Sequence, residues 1–267
     1  VGNSLVSLTQ INIELTSRCD KNCWMCGRRE RERKYGNQNY GDMEFDMVGL
    51  IADETPPGIM VAFHNNGEPL LYPRLGEAIS LFHNQTTYFV SNGMTLTKKA
   101  NELIDNLDII SVSVIEKERE DIAEKQYNEI IDFLALKGDK KPHFVLRFVG
   151  KADESRYKDL DVLKVRRVLH LPKGSVGYKK PPTVPEHGVC LDLLNRLAID
   201  RFGNVSLCVR FDPEGELRLG NIAETSLADL WNCEKRKKIV EMHISGQRIK
   251  VPYCGDKCEF YGVPTGY

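Results

Sequence analysis

The chain lacks any long apolar run. Its longest, IISVSVI at 109–115, is strand-sized and well short of the ~18 residues that mark a membrane-spanning helix. It lacks an excess of charge of either sign. Lys and Arg number 37 against 38 Asp and Glu, a formal charge of −1, which argues against nucleic acid as the main partner. No charged n-region followed by an apolar core opens the segment after Val1, so it is not read as a signal peptide and a cytoplasmic protein is expected. The six histidines (64, 83, 143, 170, 187 and 243) show no metal spacing such as H-E-x-x-H and read mostly as packing or surface residues. No repeat period is visible. An apolar fraction of 41% over 267 residues suffices for a sizeable core, and the length suits one core domain with an appendage.

Cysteine is absent between Cys26 and Cys190, yet the chain holds eight. Without a secretion signal they point to a reducing compartment, where thiols act as ligands or redox groups rather than disulfides. Cys19, Cys23 and Cys26 stand in TSRCDKNCWMC at spacing C-x3-C-x2-C. That is too compact for a zinc ribbon, whose ligands form two distant pairs. A cubane cluster needs four ligands, so three thiolates leave one iron open to bind something else. A structural zinc or iron–sulfur site with a distant fourth ligand, or buried thiols, are the alternatives on spacing alone.

Strand-like and helical patterns alternate from residue 8 to about 170, the mark of a parallel α/β architecture. Strands are expected at 8–15, 59–64, 86–91, 108–115, 143–150 and 165–172, with helices at 47–54 (Asp46 as N-cap), 75–84, 97–107 and 120–137. The segment LPKGSVGYKKPPTVPEHGVC then reads as a linker or a loop crossing a site. Beyond it, RLAIDRFGNVSLC reads as a hairpin around Phe202-Gly203-Asn204. Ser226 to Asp229 reads as a capping box opening one helix through LWNCEKRKKIVEMH. Basic runs at 28–34 and 235–238 read as solvated faces, or as a rim for an anionic substrate or an electron-donating protein.

The three-cysteine segment, followed by HNNGEPLL at 64–71, resembles the signature of the radical S-adenosylmethionine (radical SAM) enzymes. Asn66-Gly67-Glu68-Pro69 is similar to that family's Gly-Gly-Glu-Pro, with Asn66 in place of the first glycine. Gly67 permits close backbone approach, and Glu68 offers a charged acceptor to the SAM ammonium. The resemblance implies further SAM contacts at Ser91-Asn92 of the Ser-Asn-Gly turn, at Ser113 and Arg147, and at Met25, where the family usually has an aromatic residue; here Trp24 lies one place earlier.

Toward the C-terminus, Cys190, Cys208, Cys254 and Cys258 surround GNIAETSLADLWN and resemble the SPASM/twitch extension of the same family, in the shorter twitch form. In subfamily shape the chain is similar to deoxy-scyllo-inosamine dehydrogenase-like twitch enzymes. The implied fold is a partial (β/α)6 barrel of the radical SAM type with a small α+β twitch/SPASM-like C-terminal domain, divided as 1–180 and 181–267. The implied cofactors are a SAM-binding 4Fe–4S cluster, an auxiliary 4Fe–4S cluster and S-adenosyl-L-methionine; a structural zinc is the alternative for the second cysteine set. The implied reaction begins with hydrogen-atom abstraction by a 5′-deoxyadenosyl radical and ends in two-electron oxidation of a small molecule. An epimerase or peptide-modifying enzyme, with Cys233 as hydrogen-atom donor, is the competing expectation, and a non-enzymatic iron–sulfur or zinc protein a third. Lys179 and His187 lie in the segment that, in twitch-type enzymes, passes near the substrate. The expected partners are a small-molecule or peptide substrate and a one-electron reductant such as flavodoxin or ferredoxin, with no membrane.

Overall fold

The computed structural model describes residues 5–36, 39–167, 189–210, 212, 214–255 and 258. Strand β1 (Gln10–Ile13) is followed by α1 (Gly27–Tyr35), α2 (Phe45–Glu54), β2 (Met60–Ala62), α3 (Leu75–Ser80) and β3 (Thr86–Ser91). Next come α4 (Ala100–Leu103), β4 (Ile109–Ile115), α5 (Glu120–Lys137), β5 (His143–Val149) and β6 (Leu163–Arg167). The C-terminal part holds α6 (Leu191–Asn195), β7 (Arg196–Ile199), β8 (Asn204–Ser206), β9 (Arg218–Asn221), α7 (Leu227–Asn232) and α8 (Glu234–Ile244). Among the described residues no helix is long and apolar enough to cross a membrane.

Among the described residues all nine strands join one sheet in the order β6-β5-β4-β3-β2-β1-β7-β8-β9. The first six are parallel and run in chain order from β1 outward, and the sheet does not close on itself. The β/α alternation predicts the parallel order, and the open sheet is the partial barrel that the resemblance implies. The expected hairpin is present, with a less expected consequence: β7 pairs in parallel with β1, Gln10 opposite Arg196 and Ile13 opposite Ile199. The C-terminal hairpin therefore extends the same sheet. The boundary expected between residues 180 and 181 lies outside the described residues.

Alternation along the strands separates two faces. Ile11, Ile13, Val61, Phe63, Phe89, Ile110, Val112, Leu146 and Leu197 are fully buried on one of them. Helix α5 covers part of that face with a stripe of Gln126, Ile130 and Phe133, at helical i, i+4, i+7 spacing. Each large side chain buried there stabilises the fold by about 1.5–3 kcal/mol. The C-terminal part is bolted to the start of the chain through buried Trp231, whose indole N–H donates to Val6 O at 2.9 Å.

Several elements differ from the sequence reading. Helix α2 begins at Phe45 with Glu44 as its N-cap, so Asp46 is not the cap; it sits in the first turn, where a carboxylate complements the helix dipole. The helix expected at 97–107 is a 3-10 turn over Thr97–Lys99 followed by α4 alone, and Asp105 at φ 65° takes the chain out of helix. The single helix expected after Ser226 is two. Ser226 does cap α7, accepting from Asp229 N, but Cys233 is extended (φ −67°, ψ 154°) and ends α7 before α8 begins. Helices α1 and α6 and strand β9 carry no periodic apolar signal strong enough to have been expected.

Because β7 is an integral strand, Leu197→Ala should destabilise the whole molecule by about 2–5 kcal/mol, the usual range for truncating a buried leucine. Urea unfolding followed at Trp24 and Trp231, using single-tryptophan variants, should shift equally. A shift confined to Trp231 would mean that the C-terminal part unfolds separately.

Candidate functional site

Strand register shows what the second face of the sheet carries. Gln10 and Asn12 lie opposite Met60 and Ala62, Ala62 opposite Tyr88, Tyr88 opposite Ile109, and Ser113 opposite Arg147. Paired residues point the same way, so Gln10, Asn12, Tyr88, Ser111, Ser113 and Arg147 share the face turned away from the apolar core. Arg196, opposite Gln10, and Arg167, opposite Val149, fall on it too. Half of these groups are buried, Gln10 among them, with Asn12 at 4%, Ser111 at 3% and Ser113 at 8% exposure. A buried polar lining of this kind is costly unless it meets partners, which makes the concave face the candidate site. Ser113 and Arg147, two of the residues singled out from the sequence, are thus direct cross-strand neighbours.

The cysteine loop leaves β1 at the rim of this face. The segment Asn66–Pro69 is clamped against it: Glu68 N donates to Arg18 O at 2.8 Å. A Cβ on Gly67 would lie 1.9 Å from Thr16 O, so only glycine fits that contact. Glu68 itself turns inward, at 2% exposure. One carboxylate oxygen accepts from Leu70 N (3.1 Å) and Ser91 Oγ (2.8 Å), the other from Asn92 N (2.7 Å). Three protein donors thus engage its carboxylate.

Asn92 is positioned in turn. Its side-chain amide donates to Asp20 Oδ1 at 2.6 Å and lies 3.8 Å from Cys19 Sγ, while its carbonyl accepts from Gln126 Nε2 at 2.5 Å. The same Gln126 amide donates to Ser113 O at 2.9 Å. A fully buried glutamine thus ties the Ser-Asn-Gly turn to β4. Its position on the apolar stripe of α5, where a hydrophobe would be ordinary, was the available sequence signal.

Cys19, Cys23 and Cys26 are half-buried and free. Burial pushes the Cys23 thiol up to about 12, with Lys21 opposing and the neighbouring Cys26 and Cys19 adding to the shift. Burial also raises Cys19, helped by Glu68 and Asp20. Thiols held protonated by a dry site are those a cationic iron cluster would deprotonate on binding. The loop is anchored by Lys21 to Glu118 at 2.5 Å and by the Trp24 indole N–H to Glu116 O at 3.2 Å. Met25 is half-buried between these anchored residues and Cys26.

The four later cysteines also converge. Burial foremost raises the Cys254 thiol, and Cys258, Cys208 and Cys190 add to it. Cys190 caps α6 and donates its N–H to His243 Nδ1 at 3.4 Å; Cys208 N donates to Ser206 Oγ at 3.2 Å. Gly255 passes so close to Ile249 that a Cβ would lie 2.0 Å from its carbonyl oxygen. Among the described residues no three Cys, His, Asp or Glu groups close on a single metal ion. A cubane binds each thiolate through a different iron and spreads its ligands wider than one ion does. Cys233 stands apart, half-buried between α7 and α8 rather than within a helix. Lys179 and His187 lie outside the described residues.

A cavity of about 300 Å³ opens between these parts. Its wall includes Glu14, Ser17, Tyr40 and Asn66 on the first side, and Ser206 and Cys208 on the second. Asn66 donates to Glu14 Oε2 at 2.8 Å, a contact that makes Glu14 part of the site although its sequence context carries no signal.

Comparison with known proteins agrees with this geometry. Residues 190–259 match SPASM, an iron-sulfur cluster-binding domain. The chain is 24% identical over 268 residues, 96% of its length and 95% of the relative's, to an S-adenosyl-L-methionine-dependent 2-deoxy-scyllo-inosamine dehydrogenase of Niallia circulans. Its fold is similar to that of BtrN in complex with AdoMet and 2-DOIA, with a TM-score of 0.59, 19% identity and 97% of each chain covered. SuiB of Streptococcus suis bound to S-adenosylmethionine gives 0.62 at 13% identity, covering 88% of this chain and 68% of that one. Native anSMEcpe with bound AdoMet gives 0.57 at 15%, covering 94% and 89%. The chain resembles, in motif order and in fold, radical SAM enzymes that carry a SPASM-type C-terminal domain.

Burial raises the Glu68 carboxyl from 4.5 to about 7, against the opposing hydrogen bonds from Asn92, Leu70 and Ser91. The folded chain therefore keeps a proton that the unfolded chain releases, and stability falls as pH rises between those values. Glu68→Gln carries no charge and should lose that part of the decline. Urea unfolding on both sides of the window checks this; equal pH dependence in the two proteins would refute the assignment.

Proposed function

We propose that the chain is a radical SAM oxidoreductase that oxidises a small molecule by two electrons. The observation that carries this reading is the cavity whose wall holds both Asn66 of the NGEP segment and Cys208 of the second cysteine set. A substrate lodged there lies beside Cys208 and against the NGEP segment that packs on the first cysteine loop. With clusters bound, the three-thiolate site supplies the electron that cleaves SAM to methionine and a 5′-deoxyadenosyl radical, and the four-thiolate site accepts an electron from the substrate.

The chain's own residues supply position and environment. Cys19, Cys23 and Cys26 would hold the SAM-binding cluster. Asn66 and Gly67 bring backbone and amide groups to the rim, and Glu68 and Gln126 keep Asn92 and Ser113 in place around the bound molecule. Met25 offers a thioether to the adenine. The dry walls keep water from the radical. The SAM-dependent dehydrogenase named above, similar along nearly the whole chain, supports oxidation as the outcome. Epimerisation needs a hydrogen-atom donor, and Cys233 is not among the residues that line the cavity.

Anaerobically reconstituted protein should hold about eight irons per chain, four for each cubane, and the triple variant of Cys19, Cys23 and Cys26 to Ala about four. Iron and zinc analysis checks this, and a single-cluster count or stoichiometric zinc in the intact protein would refute the two-cluster reading. In turnover, 5′-deoxyadenosine and oxidised product should form one to one, without solvent deuterium at the reacting carbon, and Cys233→Ala should remain active. Inversion with deuterium incorporation, lost in Cys233→Ala, would favour the epimerase.

A further inference from the structure

The first turn of α1 holds a cation where a helix does not favour one. Cys26 is the N-cap of α1 and Arg28 follows two residues on, at the end where unsatisfied N–H groups gather positive charge. The Arg28 side chain is also withdrawn from water, at 10% exposure. Its partners are Tyr40 and Glu32. The Tyr40 ring centroid lies 4.3 Å from Arg28 Cζ, and the Tyr40 hydroxyl is hydrogen-bonded to the guanidinium. Glu32, one turn along, stands off at 3.9 Å from Arg28 Nη2 and accepts from the Tyr40 hydroxyl at 2.8 Å. Arg28 Nε is buried and has no acceptor among the described residues. A buried guanidinium with an unused N–H is costly unless something else meets it.

The thiols of the first cysteine set are close enough to feel that charge. Burial foremost raises Cys19, and Arg28 is one of the groups opposing the rise. Burial likewise works against the Arg28 charge, but Tyr40, Cys19 and Cys26 outweigh it and keep the guanidinium protonated. The other cation of the loop, Lys21, is taken up by Glu118 at 2.5 Å. These residues fit an iron–sulfur cluster. Its sulfurs supply the acceptor that Nε lacks, and its negative charge suits both the guanidinium and the helix start. We propose that Arg28 is a binding residue of the cluster held by Cys19, Cys23 and Cys26, donating through Nε to a cluster sulfur and raising the reduction potential. A cation and a donated hydrogen bond both favour the more electron-rich reduced state. The inference rests on the first cysteine set carrying a cluster, and not on the oxidation proposed above.

Redox titration of the anaerobically reconstituted protein, followed by electron paramagnetic resonance without substrate, tests it. The first cluster is the one whose signal changes when SAM is added. Arg28→Gln removes the charge and should lower that cluster's reduced-to-oxidised ratio at a fixed applied potential by about tenfold, which for one electron is about 59 mV. Arg28→Lys keeps the charge without the Nε donor and should fall between Arg28→Gln and wild type. The auxiliary cluster should titrate alike in all three proteins, which a general disturbance of folding would not allow. Where Arg28→Gln fails to retain the first cluster, Arg28→Lys is read alone and should still lie below wild type. An unchanged potential of the first cluster in the variant read, or an equal shift of both clusters, would overturn the inference. A protein with no cluster at the first set would overturn the cofactor assignment along with it. The expected shift in a protein that oxidises no small molecule would sink only the function proposed above.

Discussion

Glu68 is a carboxylate with almost no access to water, and much of the first cysteine site hangs on it. Its backbone N–H reaches the chain entering the cysteine loop, and its carboxylate gathers donors from its own turn and from the end of β3. Removing a charge from water is expensive, and only several good hydrogen bonds offset it. Three donors to one carboxyl offset part of that cost, though burial still raises the group to about 7, and they hold three chain segments in a single arrangement. A loop carrying three cysteines has little apolar surface with which to fix itself, so its position must be supplied by such a network.

The sheet provides the complementary division of labour. Strands β1, β3, β4 and β5 offer hydrophobes to the helices on one side and hydroxyl, amide or charged groups to the chamber on the other, while β2 gives Met60 and Ala62 to the chamber side. Stability and chemistry are therefore separated by the pleat itself. A slip of one residue in any of these pairings would move a serine or arginine into the apolar core and a leucine or valine into the chamber, so register is strongly enforced. The position of Arg147 opposite Ser113 follows from that enforcement.

Addition of β7 to the free side of β1 decides how the two cysteine sets stand to each other. Had the C-terminal part formed its own sheet, their separation would depend on the long connection between them. As an extension of the central sheet it shares the backbone hydrogen bonds of β1, and the cavity between Asn66 and Cys208 becomes a feature of one rigid layer. The buried Trp231 indole, bonded to Val6 O, reinforces that union.

Much of this was legible in local pattern. The bounds of β3 and α5, the parallel α/β order, the hairpin at Gly203, the Ser226 cap and the two cysteine sets follow from periodicity, turn chemistry and ligand spacing, all of which act over a few residues. Local pattern was silent or misleading where the deciding partner lies far along the chain. Glu68 reads only as a charged acceptor for a ligand until Ser91 and Asn92 are seen to donate to it. Gln126 reads as one polar interruption in an apolar stripe, and Cys233 as helical until two helices are found to meet there. The pairing of β7 with β1 depends on sheet order, which short segments do not encode. The chain by itself determined which chemical groups are available and which elements carry them. Only tertiary structure decided which of those groups face one another, because burial and charge act through space between residues that sequence keeps far apart.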